Sequence, residues 1–127
     1  MTSAFDVLGI GNAIVDVITR ADDAFLAKHA LTKGSMMLID EARADALYGA
    51  MSTGVEVSGG SCGNTMAGVA SFGGKGAYIG KVRNDQLGAV FGHDLKSMGV
   101  SFDTAAASDG PATARCLILV TPMRSAP

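Results

Sequence analysis

The chain has 127 residues, of which 48% are hydrophobic and 17% charged, and its formal net charge is −2. This composition is typical of one globular domain and excludes an intrinsically disordered chain. No run of basic residues offers a nucleic-acid surface, and the apolar runs are too short to cross a membrane.

The ends and the cysteines indicate the compartment. The N-terminal segment has an early acidic residue, Asp6, and no basic region, so it does not resemble a secretory signal. Cys62 and Cys116 have the spacing of neither a disulfide framework nor a metal site. We therefore expect a cytoplasmic protein with no metal ligands and no structural disulfide. We expect Cys62, at a helix start, to be the more reactive thiol and Cys116 to lie inside a buried strand.

The first half of the chain predicts two strands, a helix, a strand and a second helix. The strands are predicted at 5–11 and 12–19, and the first of them is expected to be buried. Acidic residues open a short helix at 22–29. A strand at 35–39 is then followed by a helix at 40–51, for which Asp40 serves as the N-cap.

The second half repeats the alternation. A strand at 54–57 leads through a glycine-rich turn into a helix ending at 72, and a further strand follows at 77–82. Asn84 or Asp85 opens the strongest helix, whose apolar stripe leaves His93 and Asp94 outside and therefore solvated. Extended segments are predicted last, at 100–107 and 114–120.

This order of elements predicts an α/β fold with a mostly parallel sheet covered by helices. Three strands, at 12–19, 35–39 and 100–107, follow their neighbours with too little intervening helix for that pattern. We expect these three to form a small second sheet beside the main one.

Two glycine-rich segments resemble nucleotide-binding loops, but each lacks a required residue. Gly9-Ile10-Gly11 should be followed by a third glycine where Ile14 stands, and no helical pattern follows it. In Gly73-Gly74-Lys75-Gly76 the lysine precedes glycine instead of serine or threonine, and the loop precedes a strand. We interpret the second segment as a helix C-cap and turn.

The stretch from Ser58 to Thr65 is the strongest candidate for a binding site. Gly59 and Gly60 would let a ligand approach the backbone, because no Cβ stands in the way. Ser61 and Asn64 are both favourable residues for a helix start, and the free N–H groups of a first turn attract hydroxyl or anionic groups. A tight strand-to-helix turn with an ordinary cap explains the same residues without any ligand.

Three motifs occur in an order that resembles the ribokinase-like (phosphofructokinase-B) family of sugar and nucleoside kinases, and within it the adenosine kinases. They are the segments 11–16, 59–65 and 73–88, and the last continues through 91–95 to Gly99-Val100. The resemblance extends over residues 5–122.

The resemblance implies a three-layer α/β/α domain with a small β-sheet lid over the substrate. It implies transfer of the γ-phosphoryl group of ATP, with Mg²⁺, to a primary hydroxyl of a sugar or nucleoside. The implied substrate-binding residues are Asn12, Asp16, Gly59, Gly60 and Asn64. The two oxygens of a carboxylate can accept both protons of a vicinal diol, which is the role implied for the aspartate. Asp85 fits a helix cap better than a ligand contact.

One departure from the family limits what the chain is expected to do. The family's catalytic base is an aspartate in a Gly-Ala-Gly-Asp-like turn, and these 127 residues contain no such turn. After Pro122 the sequence also leaves the family pattern. We therefore expect residues 1–122 to be the N-terminal, sugar-binding part of a kinase, with a divergent tail at 123–127, shortened or altered by a reading-frame change. No catalytic residue is expected here, and most of the ATP site is expected to be missing.

Two functions remain open at this point. The chain is either an incomplete sugar or nucleoside kinase or a non-catalytic module that binds such a small molecule. The motifs do not distinguish adenosine from ribose or another nucleoside. An incomplete lid would expose a sheet edge, through which two copies could pair as a homodimer.

Overall fold

The computed structural model describes residues 4–123. The chain forms two compact units, one containing the residues up to Asp16 together with Glu56–Cys116, and the other containing Val17–Val55 and the residues from Leu117 on. Five strands and four helices are found in the described part. They are β1 (Val7–Ile10), β2 (Ile14–Arg20), α1 (Asp23–Lys28), α2 (Glu41–Ala50), β3 (Val55–Gly59), α3 (Ser61–Ser71), β4 (Gly76–Ile79), α4 (Gln86–Ser97) and β5 (Ala114–Val120).

The first unit contains a short parallel sheet made of β1 and β4, in register from Val7↔Gly76 to Ile10↔Ile79. The other side of β4 pairs with an irregular segment, since Tyr78 N–H donates to Ser101 O at 2.8 Å and Ser101 N–H donates to Gly76 O at 3.0 Å. The predicted strand at 77–82 is therefore confirmed in its first half, and it has partners on both sides.

Three aromatic rings contact one another in the core of this unit. Tyr78 on β4, Phe91 on α4 and Phe102 are buried, and their ring centroids lie 5.4–5.8 Å apart in tilted or edge-on pairs. Such geometry stabilises a core beyond simple area burial. The predicted apolar stripe of α4 is confirmed for Leu87 and Leu95, which are buried together with Phe91.

Acidic side chains cap three helices, as was predicted for Asp40 and Asp85. Side chains of Asp22, Asp40 and Asp85 accept hydrogen bonds from the backbone N–H groups three residues later, each at 2.8 Å. These bonds satisfy N–H groups that have no partner within the helix, and they fix the starts of α1, α2 and α4. None of the helices described is long and apolar enough to cross a membrane.

The prediction that the first strand is buried is wrong. Gly9 faces α3, where an added Cβ would lie 2.7 Å from Cys62 Sγ. The alternating residues Leu8 and Ile10 are exposed, and so is Val7. A continuous apolar run therefore did not indicate burial on both faces, because only one face of β1 is covered within residues 4–123.

The composition predicted for the second sheet is also wrong. The three-stranded sheet has the order β3-β2-β5, so the strand at 14–20 pairs with strands that were assigned to the main sheet. Residues 35–39 form no strand and are mostly exposed, and 100–107 contributes only isolated bridges at Ser101 and Ala107. Strand propensity is a weak guide when no pairing partner is available.

Candidate substrate site

The carboxylate of Asp16 lies directly over Gly59 on the neighbouring strand. A Cβ built on Gly59 would lie 2.5 Å from Asp16 Oδ2 and 2.6 Å from Oδ1, which is too close for any side chain. Asp16 is half-buried, between Val15 and Val17, which are buried on the opposite face of β2. Glycine at position 59 therefore leaves room for the aspartate, and any side chain there would force the carboxylate to move.

The second glycine of the turn has a conformation that favours glycine. Gly60 has φ 83° and serves as the N-cap of α3 without any side-chain cap. A Cβ at this position would lie 3.2 Å from the carbonyl oxygen of Asn12. A larger residue would be strained by its backbone angle and would also press on the Asn12 backbone.

The first turn of α3 presents unpaired donors. Ser61 is the first helical residue, and Asn64 N–H donates to Gly60 O at 2.9 Å. In the described part of the chain nothing accepts a hydrogen bond from the N–H groups of Ser61, Cys62 or Gly63. Donors at a helix start favour oxygen atoms that carry negative charge or lone pairs.

The structure brings the five predicted residues close together, the two asparagines through their backbone atoms. Asp16, Gly59, Gly60 and the backbone of Asn12 are close to one another, all in the first unit. The side chains of Asn12 and Asn64 are exposed. Asn64 is tied to the turn through its backbone N–H. Whether these residues hold a substrate stays a prediction.

Cys116 lies beside this group, which the sequence analysis missed. It was expected to be buried, but β5 is an outer strand of its sheet and Cys116 is exposed. Partial burial of its sulfur and the negative charge of Asp16 raise the pKa of the Cys116 thiol. The two residues are brought together by the pairing of β5 with β2, and no local sequence pattern predicts that pairing. Cys62 and Cys116 are both free thiols.

Asp94 was expected to be solvated, but it is half-buried and bonded. Its Oδ2 accepts a hydrogen bond of 2.7 Å from the backbone N–H of Ser58. Seven residues make nearly two helical turns, so Asp94 lies on the same face of α4 as Leu87. The prediction overlooked this spacing.

Asp85 is fully engaged in the fold. Its Oδ1 accepts hydrogen bonds from Gly88 N–H at 2.8 Å and Thr113 Oγ1 at 2.7 Å, and its Oδ2 accepts one from Thr113 N–H at 3.0 Å. Burial alone would raise the pKa of Asp85, but the bonds from Thr113 and Gly88 and the charge of Arg83 bring it below its usual value. Asp85 therefore caps α4 and fixes the start of β5.

The segment 73–76 is a helix-ending turn. Gly73 has φ 87°, Gly74 N–H donates to Val69 O at 2.9 Å, and Lys75 N–H donates to Asp6 Oδ2 at 2.8 Å. A phosphate loop needs free backbone N–H groups, and these are occupied. Within residues 4–123 no three side chains gather as metal ligands either.

Comparisons with known proteins identify the family. The family described as pfkB family carbohydrate kinase matches residues 27–125. The guanosine-inosine kinase of Escherichia coli (strain K12) is 35% identical over 69 residues, which is 51% of this chain and 16% of that relative.

Solved structures have the same fold. The adenosine kinase from Sinorhizobium meliloti is 55% identical with a TM-score of 0.79, and a probable sugar kinase from Rhizobium etli CFN 42 is 52% identical with a TM-score of 0.80. Each alignment covers 94% of this chain and 36% of the other. The adenosine kinase from Schistosoma mansoni, solved with adenosine and AMP, shares the fold at 22% identity and a TM-score of 0.75, over 90% of this chain and 36% of that one. The predicted ribokinase-like α/β fold is thereby confirmed, and the chain belongs to the pfkB family of carbohydrate kinases.

Proposed function

We propose that the chain forms the substrate-binding part of a kinase that transfers the γ-phosphoryl group of ATP to a primary hydroxyl of a nucleoside or a ribose-like sugar. Membership in a family of carbohydrate kinases supports the use of ATP. The chain spans 36% of the solved chains that it resembles, so we assign the transfer step to residues outside these 127.

The observation that carries this proposal is the position of the Asp16 carboxylate over Gly59. Both carboxylate oxygens lie within 2.6 Å of the position that a Cβ on residue 59 would occupy. Among the described residues, neither oxygen accepts a hydrogen bond. Two free acceptors on one carboxylate match the two donors of a vicinal diol. The unpaired N–H groups at the start of α3, immediately after the turn, would donate to the oxygens of the same sugar.

The chain's own residues do not fit the remaining parts of the reaction. ATP supplies the phosphoryl group when it is bound, but the N–H groups of Gly73, Gly74 and Lys75 already donate hydrogen bonds within the fold. The described residues also do not gather a carboxylate cluster suited to Mg²⁺.

We propose in addition that the 127-residue chain does not catalyse phosphoryl transfer by itself. General-base catalysis commonly contributes about 10²–10⁴-fold, and each donor of an anion hole about 10²–10³-fold. The sequence has no Gly-Ala-Gly-Asp-like turn to supply either. Residues 1–122 are proposed to be the substrate-side part of the domain, and the divergent tail lies outside the described residues except for Met123.

Calorimetric titration of the chain with adenosine, inosine and ribose tests the proposal. Replacing Asp16 with Ala removes two charge-assisted hydrogen bonds of about 1.5–3 kcal/mol each, so the affinity should fall by about 10²–10⁴-fold. Asp109→Ala removes the same charge from an exposed turn and serves as the matched control. An unchanged affinity in the Asp16 variant would refute the proposed site.

An assay of turnover with ATP and Mg²⁺ accompanies the titration and tests where the catalytic groups lie. A chain that binds nucleoside but shows no turnover with ATP and Mg²⁺ behaves as a substrate-side module. Turnover beyond one equivalent, retained through further purification, would contradict the assignment of the catalytic groups to other residues.

A further inference from the structure

The backbone of β3 just before the glycine turn is held by a side chain of helix α4, which lies outside the sheet. β3 is an outer strand of the order β3-β2-β5, so no strand among residues 4–123 pairs with the N–H groups on its free side. One of them, at Ser58, donates instead to the Asp94 carboxylate of α4 at 2.7 Å, and this bond is partly buried. Hydrogen bonds to a carboxylate are shorter and stronger than those to a neutral acceptor.

The same helix also supports the other side of the turn. A Cβ on Gly63, in the first turn of α3, would lie 3.9 Å from two ring atoms of Phe91, which is ordinary van der Waals contact. Phe91 is fully buried and precedes Asp94 by less than one helical turn. The helix α4 therefore contacts the chain both before and after Gly59 and Gly60.

We propose that Asp94 is a positioning residue for the substrate site. By holding the N–H of Ser58, it fixes the backbone of Gly59 against the Asp16 carboxylate and so increases the affinity for the nucleoside or sugar. This inference rests on the proposed function of Asp16. Asp94 acts through Ser58 and is not assigned any contact with substrate.

The physical reason is the flexibility of two consecutive glycines. Glycine loses more conformational freedom on ordering than any other residue, so an unsupported Gly59-Gly60 turn would sample many conformations before binding. A turn that is already ordered loses less conformational entropy when the ligand binds. Removing the acceptor should therefore weaken binding without any change in the groups that touch the ligand.

The experiment compares three variants of the 127-residue chain by calorimetry with adenosine. Asp94→Ala removes the acceptor and should raise the dissociation constant by about 10–100-fold. Asp94→Asn keeps an oxygen that can accept from Ser58 N–H, so its dissociation constant should stay within about threefold of the parent value. Asp109→Ala, the matched removal of an exposed carboxylate, should leave binding unchanged.

A second measurement reports the positioning directly. In ligand-free ¹⁵N spectra, Asp94→Ala should shift the amide signals of Ser58, Gly59 and Gly60 selectively, whereas Asp94→Asn should move them less. Ser58→Pro removes the donor on β3 while leaving α4 intact, and proline is tolerated on the free side of an outer strand. If Asp94→Ala does not fold, this variant should give the same loss of affinity.

The outcomes separate this inference from the proposed function. Unchanged adenosine binding in Asp16→Ala overturns the proposed function, and the spectra still test the positioning. Loss of binding in Asp16→Ala, with parent-like binding in both Asp94→Ala and Ser58→Pro, overturns the inference alone. Equal losses in Asp94→Ala and Asp94→Asn also overturn it, because the hydrogen-bond acceptor would then not be the group that matters.

Discussion

Two segments of this chain have strand-like sequences, but only one of them forms a strand. The segment 76–82 begins with β4, which pairs with β1 on one side and with Ser101 on the other, and Tyr78 within it is 1% exposed. The segment 35–39 forms no strand, and Met36 and Leu38 are 82% and 90% exposed. Both are rich in apolar residues, so apolar content alone did not decide between them.

The difference lies in what each segment contacts. The residues of β4 lie under α3 and α4, with the rings of Phe91 and Phe102 packed on Tyr78. By contrast, residues 35–39 make local hydrogen bonds, such as those from Ser35 N–H to Thr32 O and from the Arg43 guanidinium to the sulfur of Met37. A segment becomes a strand when a partner edge and a covering layer are available, and its own propensity contributes less.

A third segment, 100–113, is intermediate between them. It is irregular apart from single bridges, but side chains fix it, because Thr113 bonds to Asp85 and Arg83 donates to Gly110 O. The three segments predict a gradient, in which substitutions near β4 should destabilise most and substitutions in 35–39 least.

The largest effect is expected for Phe91→Ala. Phe91 is fully buried and contacts both Tyr78 and Phe102. Its truncation should lower the free energy of unfolding by about 3–5 kcal/mol, which is a large part of the stability of a typical domain. Urea denaturation followed by circular dichroism measures this, and Phe91→Leu should lose less. A loss below about 1 kcal/mol for the alanine variant would remove the upper end of the gradient.

A smaller effect is expected at the intermediate segment, from Asp85→Ala. Loss of this cap and of its bonds to Thr113 should cost about 1–2 kcal/mol. Because the folded-state pKa of Asp85 lies below its unfolded value, its contribution is present above the unfolded value and is lost as the pH falls through the folded one. The difference between parent and variant should therefore shrink on acidification below about pH 4. A difference that grows as the pH falls would contradict this sign.

The residues that sequence predicts well here share one property, which is that their signal is local. The caps formed by Asp40 and Asp85 and the acidic start of α1 depend on residues within one helical turn, and all were predicted. The glycine at 60 likewise marked a turn that only glycine adopts comfortably. These features follow from backbone geometry within one or two turns of chain.

The features that sequence missed depend on distant partners. The contact of Asp94 with Ser58 joins residues 36 positions apart, and the proximity of Cys116 to Asp16 arises from strand pairing. The exposure of Leu8 and Ile10 likewise depends on which face of β1 is covered. An apolar run indicates a buried strand only when both faces of the strand are covered by another layer. The burial of β1 was therefore overestimated from its sequence.

Tyr78→Phe should change the free energy of unfolding by less than Asp85→Ala does, and it should increase stability instead of lowering it. Among the residues described, Tyr78 Oη is buried and has no hydrogen-bond partner, and burial together with the nearby Cys62 raises the pKa of this phenol. Removing a hydroxyl whose hydrogen-bonding capacity is unmet should raise the free energy of unfolding by about 0.5–1.5 kcal/mol. Urea denaturation of the phenylalanine variant measures the change. A loss of stability instead would show that the hydroxyl has a partner, such as a buried water molecule.

The smallest effect on stability is expected for Leu38→Ser, in the exposed segment 35–39. Leu38 is 90% exposed, so its side chain is already in water in the folded chain and little burial is lost when it is shortened. The free energy of unfolding should change by less than about 0.5 kcal/mol. Leu47→Ser on α2 is the matched control, because Leu47 is buried and the same exchange there should cost several times more. Equal losses at both positions would mean that 35–39 is packed against the fold, and the gradient from β4 to this segment would then disappear.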